Sequence, residues 1–244
     1  MKTALAINVG ANTNLPGFRA PIDADGRFIF VPIPEREPVG TGARVPTYGD
    51  LDLPIDIPSE LRGTRVHLDP EFAEYPYGTE YTYGDEHGVK AGPIGSLEGG
   101  DHLCFYATLS SARVDDDAIP ADWGAYMIGI FELARDPYVP SEASNATEIC
   151  AAVPTNAHCK RAEFDARVVA VGRPAESRLL DRAVPLSRRT EGTAANQIVT
   201  DWSNDSGRGP WWRRPLQFEG PAATRLVHHI DSVEENGLSA ACWR

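Results

Sequence analysis

At 244 residues, with 22 Gly, 20 Pro and a formal net charge of −12, the chain can bury a full core as one domain. Its scattered prolines favour turns and short strands over long helices. No apolar run reaches the ~18 residues of a membrane span, and the first residues read as a strand rather than a signal peptide, which points to the cytoplasm.

The four cysteines, Cys104, Cys150, Cys159 and Cys242, show no CxxC spacing. A zinc ribbon is therefore excluded, no metal ligand is assigned, and reduced thiols are expected.

Residues 3–9 (TALAINV) form a predicted first strand. It breaks into a Gly/Asn/Pro loop at 10–21, rich in residues that tolerate positive φ or bond their own backbone. Asn12 and Arg19 in this loop are candidate phosphate contacts, although the spacing is not G-x-G-x-x-G and no helical pattern follows. A turn at 23–26 hands the chain to a second predicted strand at 27–35, and a hairpin between the first two strands is the simplest arrangement. Residues 36–61 read as an extended loop and 64–68 as a short strand. Thr-Tyr-Gly-Asp occurs at 47–50 and again at 82–85, too short a match to establish an internal repeat. Tyr75, Tyr77, Tyr81 and Tyr83 crowd one stretch, either as base-stacking platforms or as a packing surface.

Residues 101–108 and 125–133 are mostly apolar, β-branched or aromatic and open on turn residues. They are predicted to be adjacent antiparallel strands at the centre of a strongly bent sheet. Tyr106 alternates with Phe105 and so faces the other way, towards a ligand or into a second buried layer. The excursion at 110–124 holds Asp115 to Asp117 and Trp123, the kind of long loop on which function tends to sit. Further on, 145–152 read as a capped helix, 167–171 as a strand, 176–184 as an amphipathic helix and 222–235 as a last helix closed by Gly237. Between residues 160 and 214 eleven Lys/Arg meet seven Asp/Glu, either a polyanion footprint or a mixed solvated surface. Only three of the 23 basic residues are Lys, a bias that suits a GC-rich or salt-loving microbe.

Two polar groups carry candidate chemistry. His67, Asp69 and Glu71 stand at i, i+2 and i+4, which on a strand places them on one face. A His with two carboxylates can ligate a divalent metal or serve as a general acid/base set, with Asp85 as a further member. Pro70 interrupts that spacing. Asn156, His158 and Arg161 form the second group, with His158 as base or phosphate donor and Arg161 as a phosphate fork, or with a purely structural His.

Two resemblances add to this. The 101–133 pair resembles the centre of PUA-like barrels of the EVE type, where a GD-apolar-FY strand precedes a VGI-x-E-V strand. That likeness implies a small barrel reading a modified base, with Asp101, Tyr106 and Trp123 beside the ligand. N-V-G-A-N-T-x-x-P-G-x-R-x-P-I at the N-terminus, V-H-x-D-P-E-F at 66–72, T-Y-G-D at 82–85, G-D-x-L-x-F-Y-A at 100–107 and S-R-L-L-x-R-A-V-P-L-S at 177–187 carry the second. Together they resemble the nucleotide modification associated domain family of the third type, over roughly residues 3–190. This implies a microbial protein of DNA or nucleotide base modification.

The expectation is an α+β fold: a mixed, largely antiparallel bent sheet or PUA-like barrel, with a few short helices and long Pro/Gly-rich loops. Residues 1–244 are expected to be one domain, with a core at about 3–190 and a loop-rich extension at 191–244. The expected function is binding of a modified base or nucleotide beside the central strands. The alternative is an enzyme acting on a nucleotide or DNA base, metal-assisted, through His67, Asp69, Glu71 and Asp85. The cofactor is left open. The expected partners are a nucleotide or nucleic acid and other base-modification proteins, with no membrane.

Overall fold

A computed structural model describes residues 2–111, 123–140 and 143–243. The Asp115 to Asp117 run lies outside the described residues. The chain passes back and forth between two compact units, one comprising Met1–Val31, Asp101–Ile130 and Leu179–Arg244, the other Pro32–Gly100 and Phe131–Arg178.

In chain order, β1 (Thr3–Asn8) and β2 (Ala20–Ile22) open the first unit. The second unit then contributes β3 (Ile33–Pro34), β4 (Val66–His67), β5 (Thr82–Asp85) and helix α1 (Gly88–Gly95). Strands β6 (His102–Ser111) and β7 (Gly124–Glu132) follow. Helix α2 (Ala143–Ala152), a short 3-10 helix at Ala157–Lys160 and β8 (Val168–Val171) return to the second unit. The chain ends with β9 (Arg178–Pro185), β10 (Ser187–Arg188), β11 (Glu191–Ala195), β12 (Leu216–Glu219) and α3 (Pro221–Asn236).

The main sheet runs β12-β1-β6-β7-β9, with β2 also pairing β6. Its path is open among the described residues, so the fold is the α+β mixed-sheet alternative and not a closed barrel. Strands β6 and β7 are neighbours, as their matched apolar runs lead one to expect. Both are buried on both faces, which explains why their apolar character is nearly continuous. Strand β1 pairs with β6 in parallel, Ala4 opposite His102 through Asn8 opposite Tyr106, and with β12 antiparallel.

The expected hairpin between the first two strands is therefore corrected. Both neighbours of β1 come from distant sequence, and the 27–35 run contributes only the short β3 and an isolated bridge between Ile22 and Phe28. Prolines at 32 and 34 remove the backbone donors that a longer strand there would need. The amphipathic helix expected at 176–184 is also corrected, since Arg178–Pro185 is strand β9. Leu180, Ala183 and Val184 are buried there, and a place beside β7 overrides a weak local helical pattern.

One face of the main sheet, with Ala4, Ala6, Cys104, Tyr106, Ala125 and Met127, packs under α3 and Trp211. Helix α3 answers with Ala223, Leu226, Ile230 and Val233, the stripe expected of a helix that buries one side. Gly237 closes it at φ 77°, a conformation that favours glycine. Among the described residues no helix is long and apolar enough to cross a membrane.

In the second unit, Ile149 and Val153 of the α2 region pack with Ala166 and Val169. A disulfide joins Cys150 to Cys159, which corrects the expectation of four reduced thiols; Cys104 and Cys242 are buried and outside any disulfide. The chain reverses at Pro154 between helix and 3-10 turn and brings the two Cα atoms to 5.3 Å, a proximity that spacing alone does not reveal.

Leu226 is wholly buried in the main core. Leu226→Ala should lower unfolding stability by about 2–5 kcal/mol in denaturant titrations, with no change in the slope of the transition.

Candidate functional site

The second unit gathers a cluster of charged groups around two imidazoles. Val66 and His67 form β4, held opposite β3 with Ile33 facing His67. That pairing sets Glu35, just past β3, beside the His67 ring, and Glu35 Oε2 lies 2.7 Å from His67 Nδ1. The strand ends at once, because Pro70 cannot donate to a ladder, and the chain places Asp69 Oδ2 3.7 Å from His67 Nε2.

His158 comes from the 3-10 turn, which Asn156 caps by accepting the His158 N–H at 3.1 Å. Its Nε2 is 3.3 Å from the same Asp69 oxygen, and its Nδ1 is 2.6 Å from Asp165 Oδ1. The two rings meet edge to face with centroids 4.9 Å apart. His67, Asp69 and His158 are only 6%, 5% and 2% exposed.

Gly84 of β5 makes this approach possible. Its N–H donates to both Asp69 oxygens, at 2.9 and 3.1 Å. A Cβ there would stand 2.5 Å from His158 Cδ2 and 3.3 Å from Asn156 Oδ1. The second Thr-Tyr-Gly-Asp copy is thus a strand with its glycine under a histidine ring. The first copy is a turn in which Thr47 donates its backbone N–H to Asp50. The same four residues serve two structures.

Arg161 ties the outer carboxylates together. Its guanidinium reaches Glu35 Oε1 at 3.1 Å, Glu86 Oε2 at 2.7 Å, and Asp165 Oδ2. Burial works against the charge of Glu35, but the His67 ring outweighs it, and the Glu35 pKa falls to about 2. Glu35 is therefore ionised at neutral pH and accepts Nδ1–H from His67, which leaves Nε2 as the ring nitrogen turned towards Asp69. Burial also opposes charging of His158, yet hydrogen bonds to Asp165 and Asp69 raise its pKa from 6.5 to about 9. Burial pushes the Asp69 carboxyl up, opposed by His158 and the Gly84 N–H. Asp165 is held low by His158 and neighbouring groups against the cost of its burial.

Glu71 and Asp85 do not join this cluster. Glu71 is wholly buried and accepts from Thr79 N–H at 2.9 Å and Thr82 hydroxyl at 3.1 Å. Asp85 accepts from the Tyr83 hydroxyl and the His87 N–H, each at 2.7 Å, at the start of α1. The i, i+2, i+4 alignment fails because β4 ends at His67. Three donor atoms of His67, Asp69 and His158 lie within 4.8 Å of one another, as do those of Glu86, His158 and Asp165. Sequence reasoning missed Glu35, Glu86 and Asp165. Only Glu35 carried a signal, as the last residue of the Pro-Ile-Pro-Glu run.

The remaining candidates belong to the first unit. Tyr106 is 0% exposed and donates its hydroxyl to the Arg214 carbonyl at 2.7 Å, so it forms the second buried layer. Asp101 accepts the Thr3 N–H at 2.8 Å, and Asn12 accepts the Asn14 N–H at 2.8 Å in a local turn. The Arg19 guanidinium lies 4.5 Å over the Trp123 ring, which meets Trp212 edge to face at 5.1 Å. An apolar depression beside β6, lined by Phe28, Phe30, Ala107 and Ile128, carries no polar side chain.

The chain thus holds a buried histidine–carboxylate cluster on an α+β scaffold. Residues 3–228 match the model of the family nucleotide modification associated domain 3, and the chain belongs to that family. No curated protein and no solved structure matches the chain, so no structural match supports the PUA-like likeness of 101–133.

Two outcomes follow from the geometry. Gly84→Ala should force His158 from its place and cost about 1–3 kcal/mol in denaturant unfolding. A pKa raised on folding means that His158 protonation stabilises fully below about pH 6.5, and that this contribution is lost as pH rises through about 9. Unfolding midpoints should fall across that window, and fall less in His158→Asn.

Proposed function

We propose that the chain is an enzyme of nucleotide modification that acts on a nucleotide or nucleic-acid base at the His67–Asp69–His158 cluster. The observation that carries this reading is the convergence of two imidazoles and a carboxylate, each ring braced from behind by its own carboxylate. Taking several charges out of water costs several kcal/mol per ion, and groups kept there with shifted pKa values mark functional sites. The Nε2–H of charged His158, beside Asp69 Oδ2, can donate to an oxygen or nitrogen of the substrate and polarise it. The edge of the cluster facing solvent is formed by Asp165 and Glu86, whose side chains are 33% and 36% exposed. The family's association with nucleotide modification supports this choice of substrate class.

A second reading, nucleic-acid binding, rests on the half-exposed Arg19–Trp123–Trp212 group of the first unit. It replaces Tyr106 as the stacking surface, and the site would serve as an anchor for the polymer.

The test incubates purified chain with DNA and with nucleotides and reads the nucleosides by mass spectrometry. Wild type should yield a product of changed mass, and His158→Gln and His67→Gln should slow its formation by at least about a hundredfold. Equal product from wild type and both variants would place the chemistry elsewhere. For the second reading, Trp123→Ala should weaken oligonucleotide binding by about 1–3 kcal/mol, or roughly ten- to a hundredfold, with little dependence on salt. Unchanged binding would remove that reading.

A further inference from the structure

We infer that His67 Nε2, Asp69 Oδ2 and His158 Nε2 form a binding site for one divalent first-row transition-metal ion. The first argument is distance. A metal bound at about 2.0–2.2 Å holds its ligand atoms about 3 to 3.4 Å from one another. The Asp69 oxygen already lies 3.3 Å from His158 Nε2 and 3.7 Å from His67 Nε2. The second of these is too long for a hydrogen bond, yet the two atoms face each other in the protein interior.

The second argument is what stands behind the rings. Each imidazole gives its outer nitrogen to a carboxylate, His67 Nδ1 to Glu35 at 2.7 Å and His158 Nδ1 to Asp165 at 2.6 Å. This is the arrangement that orients metal-bound histidines and raises their basicity, since it fixes Nδ1–H outwards and leaves the Nε2 lone pair for the metal. One guanidinium, Arg161, holds both outer carboxylates in register. Asp69 in turn is fixed by the Gly84 N–H, so all three ligands are held from outside.

The third argument is charge. Glu35, Asp165 and Glu86 converge on Arg161 while Asp69 stands between the two imidazoles, an acidic surround in which a dication can take the place of the imidazole proton at His158 Nε2. Two nitrogens and one carboxylate oxygen suit iron, manganese, cobalt or zinc, whereas magnesium and calcium take oxygen donors. Two imidazoles with one carboxylate also leave coordination positions for water or substrate. The ligand set differs from the one legible in sequence, with His158 in place of Glu71 and Asp85.

This inference rests on the reading of the cluster as the reacting centre, but its test reads the metal alone. Chelator-stripped full-length protein, its disulfide intact, is titrated with Co2+ and followed by visible absorption, with metal counted per chain. One equivalent should bind and produce d–d bands. His67→Ala and His158→Ala, checked for folding by circular dichroism, should lose that binding. Glu35→Gln should weaken it about 10–100-fold by loosening His67 without touching the metal. Wild type that takes up no cobalt, or His67→Ala that binds as wild type does, overturns the site. Loss in Glu86→Gln with His67→Ala unaffected overturns it in favour of the Glu86–His158–Asp165 group. Should the alanine variants unfold, the wild-type and Glu35→Gln titrations still decide. Cobalt bound as expected, without turnover of any nucleotide, upholds the metal site and counts against the catalytic reading alone.

Discussion

The interaction on which the second unit depends is the Arg161 guanidinium seated between Glu35 and Asp165. Each of those carboxylates grips one histidine, so a single cation sets the positions of both rings. Arginine suits this role because its planar fork offers several donors in fixed directions and keeps its charge when buried. Here burial works against that charge, but Glu35 and the other carboxylates more than offset it and raise the Arg161 pKa. A lysine would bring a point charge and could not hold two carboxylates at once in this geometry. Without Arg161 the carboxylates lose the cation that compensates them, the costly outcome when one partner of a buried network is removed.

The cluster is assembled from short pieces and owes little to regular structure. Strands β3 and β4 have two residues each, and His158 stands on a single 3-10 turn. Stability of these pieces comes from tertiary contacts: the Ile33–His67 pairing, the Asn156 cap, Gly84 beneath the His158 ring, and the Cys150–Cys159 disulfide closing the segment that carries His158. Closing a short loop covalently is worth about 2–4 kcal/mol by limiting the unfolded chain. The long strands do other work. Strands β1, β6 and β7 are buried throughout most of their length and form the core of the first unit under α3, with Tyr106 inside it.

This division explains what was legible in the sequence. Continuous apolar runs announced β6 and β7, and the stretch at 222–235 with Gly237 after it allowed α3. Motifs spread over the chain led to the family. His67, Asp69 and His158 stood out because histidines and carboxylates near turns are conspicuous. Their partners did not, since Glu35 lies 32 residues from His67 in sequence and meets it only through β3–β4 pairing. Asp165 looked like surface charge. The error at 176–184 has the opposite cause: Leu180 and Ala183 fit a helix locally, and only their place in the main sheet makes them strand. The Tyr106 alternation was read correctly, but alternation tells a face and not whether another layer covers it.

The central claim is that His67, Asp69 and His158 turn three ligand atoms towards one point, and the most direct measurement is anomalous diffraction from crystals soaked in a manganese or cobalt salt. The account predicts one strong anomalous peak about 2.0–2.3 Å from His67 Nε2, Asp69 Oδ2 and His158 Nε2 together. An anomalous map without a peak there, or with its peak on Glu86 and Asp165 alone, would contradict it.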